Sequence, residues 1–219
     1  MLFGISPAAA ASRAINLEVC SGNGEWITAM AATHPQQLWC ALELRHNRCA
    51  SIFQRGILAA LSNLAVLGGD AAILCRHHLK KASVNRVLVT FPEPPAQHDH
   101  QEQGDHLLDE SFVASVRRLL KPNGEFIIVT DNLPYAKVCA RATFGRTANG
   151  NAQRRAAVST FVDIGDQPLR GHGAGGDGVN VGVPVGFEAG DQDGGGSFFD
   201  RLWAGRGKSQ RFFIHAKRS

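Results

Sequence analysis

The chain has 219 residues, 44% of them hydrophobic, and a formal net charge of +4. This length and hydrophobic content suffice for one domain with a sizeable core. The sequence contains no run of about 18 apolar residues, which excludes a membrane-spanning helix. The mildly basic balance permits a nucleic-acid partner without requiring one.

The cysteines and the N-terminus predict a reducing compartment, either the cytoplasm or the nucleus. The five cysteines are odd in number and include no C-x-x-C pair, which favours buried free thiols over a disulfide framework. The apolar segment 2–11 lacks the basic start of a secretory signal and leads almost directly into the first predicted strand. We therefore expect this segment to remain in the mature protein.

The first predicted elements are a strand, a glycine turn and a helix. Ile15 to Val19 is a short apolar run of strand length, with Glu18 near its end. The turn that follows contains Gly22 and Gly24, residues that tolerate positive φ and close approach of the backbone. A helical pattern then begins at Glu25. This arrangement directs unpaired N–H groups of the helix start toward a ligand beyond the strand.

Acidic residues also follow the second and third predicted strands. Glu43 ends the strand over 38–43 and lies nineteen residues beyond Gly24. Rossmann-like folds grip a ribose diol with a carboxylate at about this distance, roughly 20 residues. The third strand, Leu64 to Leu67, runs through two glycines into Asp70. The carboxyl ends of the first three strands thus each carry an acid.

This pattern favours S-adenosylmethionine (SAM) over a dinucleotide. Ile27 occupies the position where the dinucleotide fingerprint needs a third small residue, which argues against NAD. The acids Glu18, Glu43 and Asp70 suit a cationic methionine end, a ribose diol and an adenine amino group. The sequence therefore predicts a SAM pocket; the alternative is an α/β domain whose acids lie at the surface.

Strands and helices continue to alternate up to residue 130. Further helices are predicted at Arg45 to Leu61, Ala71 to His78 and Asp109 to Leu120, and further strands at Val84 to Phe91 and Glu125 to Thr130. On the first of these helices, one face contains Cys49, Ile52, Phe53 and Ile57. Such alternation produces a parallel sheet with right-handed crossovers. The predicted fold class is α/β, Rossmann-like, with a mostly parallel central sheet and helices on both faces.

The composition changes over about 145–196, which is rich in Gly, Asp and Ala. Such a stretch buries little apolar surface, so we expect a flexible surface insertion whose strand-like run is Val179 to Phe187. The run from Gln210 to His215 then predicts a last strand of the sheet. We expect residues 1–219 to form one domain.

A specific resemblance begins at the fourth strand. Phe91-Pro92-Glu93-Pro94 resembles the Phe-Pro-Asp-Pro signature of the tRNA (guanine-N7-)-methyltransferase family. The similarity runs from about Ile15 to Thr143 and resumes at Ser197. Other segments similar to that family are Leu17 to Glu25, Ala41 to Leu44, Gly69 to Ala71, Leu119 to Glu125, Thr130-Asp131 with Tyr135-Ala136, and Ser197 to Asp200.

The resemblance implies a class I methyltransferase that transfers a methyl group from SAM to N7 of a guanine in tRNA. Guanine N7 has a lone pair and no proton, so the reaction needs alignment and stabilisation of purine charge more than proton transfer. The resemblance further implies that Glu93 is catalytic. It assigns substrate contacts to Asp131, Ser197 and Asp200, and SAM contacts to Glu18, Gly22, Gly24, Glu43 and Asp70.

The sequence departs from the family pattern at several positions. Cys20 stands where the family's loop has its first glycine, Glu93 replaces the aspartate of the signature, and Pro95 follows in place of an aromatic residue. The segment 96–106 carries only three histidines where the family has a dense basic run for tRNA. Because each phosphate contact adds counterion release, this loss weakens the expected tRNA contact more than the SAM contact.

Three alternatives follow from these departures. The chain could methylate a protein or a small molecule, or it could be a non-catalytic module that binds a partner or RNA; a partner subunit could also supply RNA contacts.

The segment that contains His98, Asp99, His100, Asp105 and His106 has residue types that ligate zinc. No cysteine joins them and a solvated loop explains the same residues, so no metal is predicted.

Overall fold

The computed structural model of the chain describes residues 3, 8, 10, 12–94, 106–145, 161–163, 178–181 and 211–219. Eight strands within these residues form one sheet in the order β3-β2-β1-β4-β5-β8-β6, and β7 also pairs with β8. The strands are β1 Ile15–Val19, β2 Leu38–Glu43, β3 Leu64–Gly68, β4 Val84–Thr90, β5 Leu120–Thr130, β6 Phe161–Asp163, β7 Asn180–Val181 and β8 Phe212–Arg218.

The sheet is mostly parallel, as the alternation of strands and helices predicts. Strand β1 pairs in parallel with β2 and β4, β2 with β3, and β4 with β5. Strand β8 runs antiparallel to β5, β6 and β7. The carboxyl ends of β1 to β5 therefore meet at one edge of the sheet, where ligands bind in open α/β folds.

Helices cover both faces of the sheet. They are α1 Glu25–Thr33, α2 His46–Leu58, α3 Ala71–Ile73, which continues as a π-helix over Leu74–His78, α4 Glu110–Leu119 and α5 Leu133–Phe144. One buried apolar cluster joins the sheet to α1 and α2, and a second joins it to α3, α4 and α5. Along β2, Trp39 and Ala41 belong to the first cluster, whereas Cys40 and Leu42 belong to the second. The strand is apolar throughout because both of its faces are covered.

The state of the cysteines agrees with the prediction from composition. All five cysteines are free thiols, and Cys40, Cys75 and Cys139 are buried. Among the described residues, no helix has the length and apolar character needed to cross a bilayer. The compartment and the single-domain organisation of residues 1–219 stay predictions.

The buried face of α2 differs from the predicted one. Phe53 and Ile57 are 60% and 61% exposed, while Ile52 and Gly56 are buried. A Cβ built at Gly56 would lie 3.2 Å from Leu64 Cδ2, so the helix approaches β3 closely along this side. The rotation of α2 is therefore set by a contact with a later strand rather than by the apolar spacing of the helix itself.

Other elements differ in extent. Strand β5 begins at Leu120 and not at the predicted Glu125, and the β4–β5 register shifts between Val84 and Arg86. Helix α5 was not predicted, although Asn132 caps it by accepting a hydrogen bond from the Tyr135 N–H group.

Residues 146–160, 164–177 and 182–210 lie outside the described residues. The insertion nevertheless contributes both β6 and β7, two short strands that pair with β8.

Glu125 joins three strands at the edge of the sheet opposite the carboxyl ends. Its Oε2 atom lies 3.5 Å from His215 Nε2 on β8 and 2.9 Å from Arg86 Nε on β4. His215 and Arg86 together hold the pKa of Glu125 at about 2, against the opposing effect of its partial burial. The ionised carboxylate is therefore favoured in the folded state.

We expect Glu125→Gln to lower the free energy of unfolding at pH 7 by about 1–2 kcal/mol, a value reduced for partial exposure of the pair. The difference from wild type should shrink as the pH falls from 4.5 toward 2, because the low pKa of Glu125 stabilises the fold only while the group is ionised. Urea unfolding of both proteins across this pH range measures the difference in the free energy of unfolding. Glu93→Gln, at an exposed position, is the control and should change the free energy by about 0.5 kcal/mol or less. A pH-independent difference for Glu125→Gln would contradict this account.

Candidate cofactor and active site

A cavity of about 90 Å³ opens where β1 and β4 end. Its walls are the glycine turn after β1, the first residues of α1, Arg48 of α2 and the last residues of β4. This is the crevice between adjacent parallel strands that the sequence predicts as a cofactor site.

Glu18 is a buried acid in the wall of this cavity. Its side chain is 1% exposed, and its Oε1 atom accepts a hydrogen bond of 3.0 Å from Thr90 Oγ1. Its Oε2 atom is buried and has no hydrogen-bond partner among the described residues. Burial raises the pKa of Glu18 to about 8, and the carboxylates of Glu25 and Glu43 add to the effect. A cation in the cavity would favour ionisation of Glu18 and would satisfy the free oxygen.

Glu43 connects β2 to the glycine turn. Its Oε2 atom accepts a hydrogen bond of 2.9 Å from the Gly22 N–H group, and Oε1 accepts one of 2.9 Å from the Arg45 N–H group. The residue is 4% exposed. Each carboxylate oxygen retains a second lone pair, so these bonds leave room for a ligand hydroxyl. The ribose contact predicted for Glu43 stays a prediction.

Gly22 and Gly24 have different roles although both have positive φ. Gly22 has φ +58°, and a Cβ built there meets no atom within 4 Å. Gly24 has φ +83°, and its Cβ would lie 2.6 Å from Ile52 Cγ1 of α2. Gly22 thus leaves open space beside the cavity, whereas Gly24 allows α2 to pack against the turn.

Cys20 follows β1 in a left-handed conformation with φ 63°. A residue with a Cβ pays about 1–2 kcal/mol for this conformation, which explains why glycine suits the position. Burial raises the pKa of the Cys20 thiol to about 12, and Glu43, Glu18 and Glu93 raise it further while Arg48 opposes them. The thiol is therefore protonated at physiological pH.

The remaining predicted site residues lie around this edge or outside the described residues. Glu93 is exposed and lies two residues beyond Phe91, itself left-handed with φ 47°. Asp70 follows β3 and accepts a hydrogen bond of 3.0 Å from the Ile73 N–H group, which caps α3. Asp131 follows β5 and is partly exposed. Neither aspartate lines the cavity. Ser197 and Asp200 fall outside the described residues, as does the histidine-rich segment apart from His106.

Several residues of the cavity wall were not predicted as site residues, among them Thr90 and Arg48. Thr90 donates a hydrogen bond to Glu18 and orients it. Its position at the end of β4, directly before the Phe-Pro-Glu-Pro segment, is the sequence signal that could have predicted it. Arg48 has no local signal, because its place in the wall depends on the rotation of α2. Within the described part of the chain, no cluster of three metal-ligating side chains is present.

A family model described as "Putative methyltransferase" matches residues 12–157. The chain belongs to this family. The tRNA (guanine-N(7)-)-methyltransferase of Chlamydia caviae is 34% identical over 121 residues, which cover 55% of this chain and 53% of the relative. The tRNA (guanine-N(7)-)-methyltransferase of Lactobacillus acidophilus is 34% identical over 119 residues, with coverages of 54% and 53%. The chain thus spans about half the length of these relatives.

Solved methyltransferases share the fold. TrmN from Thermus thermophilus has a TM-score of 0.54 at 18% identity, covering 97% of this chain and 46% of that one. A predicted O-methyltransferase from Agrobacterium tumefaciens has a TM-score of 0.54 at 13% identity, with coverages of 98% and 81%. At these identities the likeness concerns the fold alone, which is the Rossmann-like class I methyltransferase fold predicted from the sequence.

The two glycines of the turn should respond differently to alanine. We expect Gly24→Ala to lower the free energy of unfolding by about 2–4 kcal/mol, because it adds a clash with Ile52 to the conformational cost. Gly22→Ala should cost about 1–2 kcal/mol, since its Cβ enters open space. Urea unfolding of both variants measures the difference. Equal losses would contradict the separate roles assigned to the two residues.

Proposed function

We propose that this chain is a SAM-dependent methyltransferase that acts on N7 of a guanine in tRNA. The observation that carries the proposal is Glu18, a buried acid with an unpartnered oxygen in the wall of a cavity beside the glycine turn. Membership of a methyltransferase family and the names of the relatives support it.

Two residues of the cavity wall, Glu18 and Gly22, and two acids outside the wall, Glu43 and Asp70, fit the chemical groups of SAM. Glu18 would accept hydrogen bonds from the ammonium of the methionine moiety and become ionised in doing so. The open space at Gly22 admits a ligand close to the backbone. Glu43 would bind the ribose hydroxyls through its remaining lone pairs, and Asp70 would accept from the adenine amino group. SAM supplies a methyl group on a positively charged sulfur.

The substrate proposal rests on a different set of residues. Guanine N7 needs no base, so the chain must orient the purine and stabilise its developing positive charge. Glu93, at the carboxyl end of β4, would accept hydrogen bonds from guanine N1 and N2 and thereby favour the cationic purine. Asp131, Ser197 and Asp200 would complete the contacts with the base. The electrostatic effect of Glu93 on Cys20 supports its position near the cavity.

A second candidate keeps SAM and changes the substrate to a protein or a small molecule. The sparsely basic segment 96–106 favours it, because this segment offers few phosphate contacts. A third candidate, a non-catalytic module that binds a partner or RNA, differs from the first two in having no affinity for SAM. A partner subunit that supplies RNA contacts also stays a prediction.

Labelled SAM separates these candidates. The purified chain is incubated with methyl-labelled SAM and unmodified tRNA transcripts, and the nucleosides are then analysed by mass spectrometry for 7-methylguanosine. The proposal expects label in 7-methylguanosine. If the chain binds SAM but no tRNA is labelled, the proposal that tRNA is the substrate is overturned and the second candidate is favoured. If the chain does not bind SAM, the proposal that SAM is the cofactor is overturned as well.

Glu93→Gln tests the role of the carboxylate in the reaction. We expect kcat/KM for tRNA to fall about 100-fold, because the neutral amide no longer stabilises the purine cation. SAM affinity measured by calorimetry should change less than about twofold, since Glu93 would contact the base and not the cofactor. Glu125→Gln, the same substitution at the opposite edge of the sheet, is the matched control. Unchanged kcat/KM in Glu93→Gln would exclude Glu93 from the active site.

A further inference from the structure

Two arginines lie on the same side of α2 but have different surroundings. Arg48 and Arg55 are seven residues apart, which corresponds to about two helical turns. Arg55 Nη2 lies 3.0 Å from Glu25 Oε1 of α1 and forms an ion pair with it. Arg48, nearer the start of α2, lines the cavity and forms no ion pair with another described residue. Arg48 is therefore a cation that faces the cavity without an anionic partner in this part of the chain.

The charges around the cavity match an α-amino acid. Glu18 and Arg48 both line a space of about 90 Å³, and the third charged residue of its wall, Glu25, pairs with Arg55. Glu18 and Arg48 therefore present an acidic and a basic side chain to the same small volume. In an α-amino acid the ammonium and the carboxylate are attached to one carbon. A group placed between Glu18 and Arg48 can therefore pair with both residues at once. Arginine also provides a planar fork of donors that fits a carboxylate with two parallel hydrogen bonds.

We propose that Arg48 binds the carboxylate of the methionine moiety of SAM and thereby selects cofactors that carry it. This inference rests on the proposed function, because it requires SAM in the cavity. The guanidinium would approach from α2, while Glu18 approaches from β1. Arg48 is half-buried, so water screens its attraction for an anion less than at a free surface.

Decarboxylated SAM is the probe that isolates this contact. It retains the sulfonium, the ammonium, the ribose and the adenine of SAM and lacks only the carboxylate. The affinities of SAM and decarboxylated SAM are measured by calorimetry for wild type, Arg48→Ala and Arg48→Lys. Arg55→Lys, on the same side of α2 but outside the cavity wall, is the matched control, because lysine keeps a cation beside Glu25 of the wall. Thermal unfolding of each variant establishes that it is folded, and Arg48→Lys serves if Arg48→Ala does not fold.

We expect Arg48→Ala to weaken SAM binding by about 10- to 100-fold, the usual range for loss of a hydrogen-bonded charge pair. Binding of decarboxylated SAM should change less than about twofold, because that ligand makes no contact with Arg48. Arg48→Lys should be intermediate for SAM, since lysine keeps the charge and loses the fork. Arg55→Lys should bind both ligands as wild type does.

Other outcomes decide against one proposal or the other. If Arg48→Ala weakens the binding of both ligands equally, or of neither, the role of Arg48 is overturned but the proposal that the chain binds SAM is not. Loss of tRNA affinity with unchanged SAM affinity would assign Arg48 to a phosphate contact instead. If wild type binds neither ligand, the proposed function itself fails, and the inference about Arg48 fails with it.

Discussion

The carboxylate of Glu43 holds together the two segments on which the cavity depends. It ends β2, accepts a hydrogen bond from the Gly22 N–H group of the turn after β1, and accepts another from the Arg45 N–H group before α2. Because Glu43 is almost fully buried, water competes little with these hydrogen bonds. One acid therefore fixes both the turn that opens the cavity at Gly22 and the start of the helix that brings Arg48 to its wall.

Several residues around the cavity lower the stability of the folded protein. Cys20 and Phe91 leave adjacent strands in left-handed conformations that residues with a Cβ rarely adopt. Such conformations persist at functional sites when the surrounding structure enforces them. Glu18 adds a second cost. With its pKa raised from 4.5 to about 8, its contribution to folding stability is fully present below pH 4.5 and is lost as the pH rises through 8. A bound cation would reverse this loss. Glu18 would therefore destabilise the ligand-free protein and stabilise the ligand-bound protein.

Local sequence patterns predicted the strand ends and the glycine turn near the cavity. They did not predict the helix face and the short strands whose positions depend on distant parts of the chain. The bounds of β1 and β2 agree with the apolar runs, and Glu18, Gly22, Gly24 and Glu43 were predicted because strand ends and glycine turns are local features. The face of α2 was wrong at Phe53 and Ile57, since a close approach of Gly56 to β3 sets the rotation of the helix. Arg48 could not be found for the same reason. Strands β6 and β7, three and two residues long, exist only through their pairing with β8.

Proton release on SAM binding tests the central claim most directly. Calorimetric titration at pH 7, repeated in buffers with different ionisation enthalpies, counts the protons exchanged when the cofactor binds. With the pKa of Glu18 at about 8, the empty cavity holds a neutral carboxyl at this pH, and a cation should expel its proton. We predict release of about one proton per SAM in wild type and none in Glu18→Gln. Binding of SAM to wild type without proton release would contradict the role of Glu18, and absence of binding would contradict the cofactor site altogether.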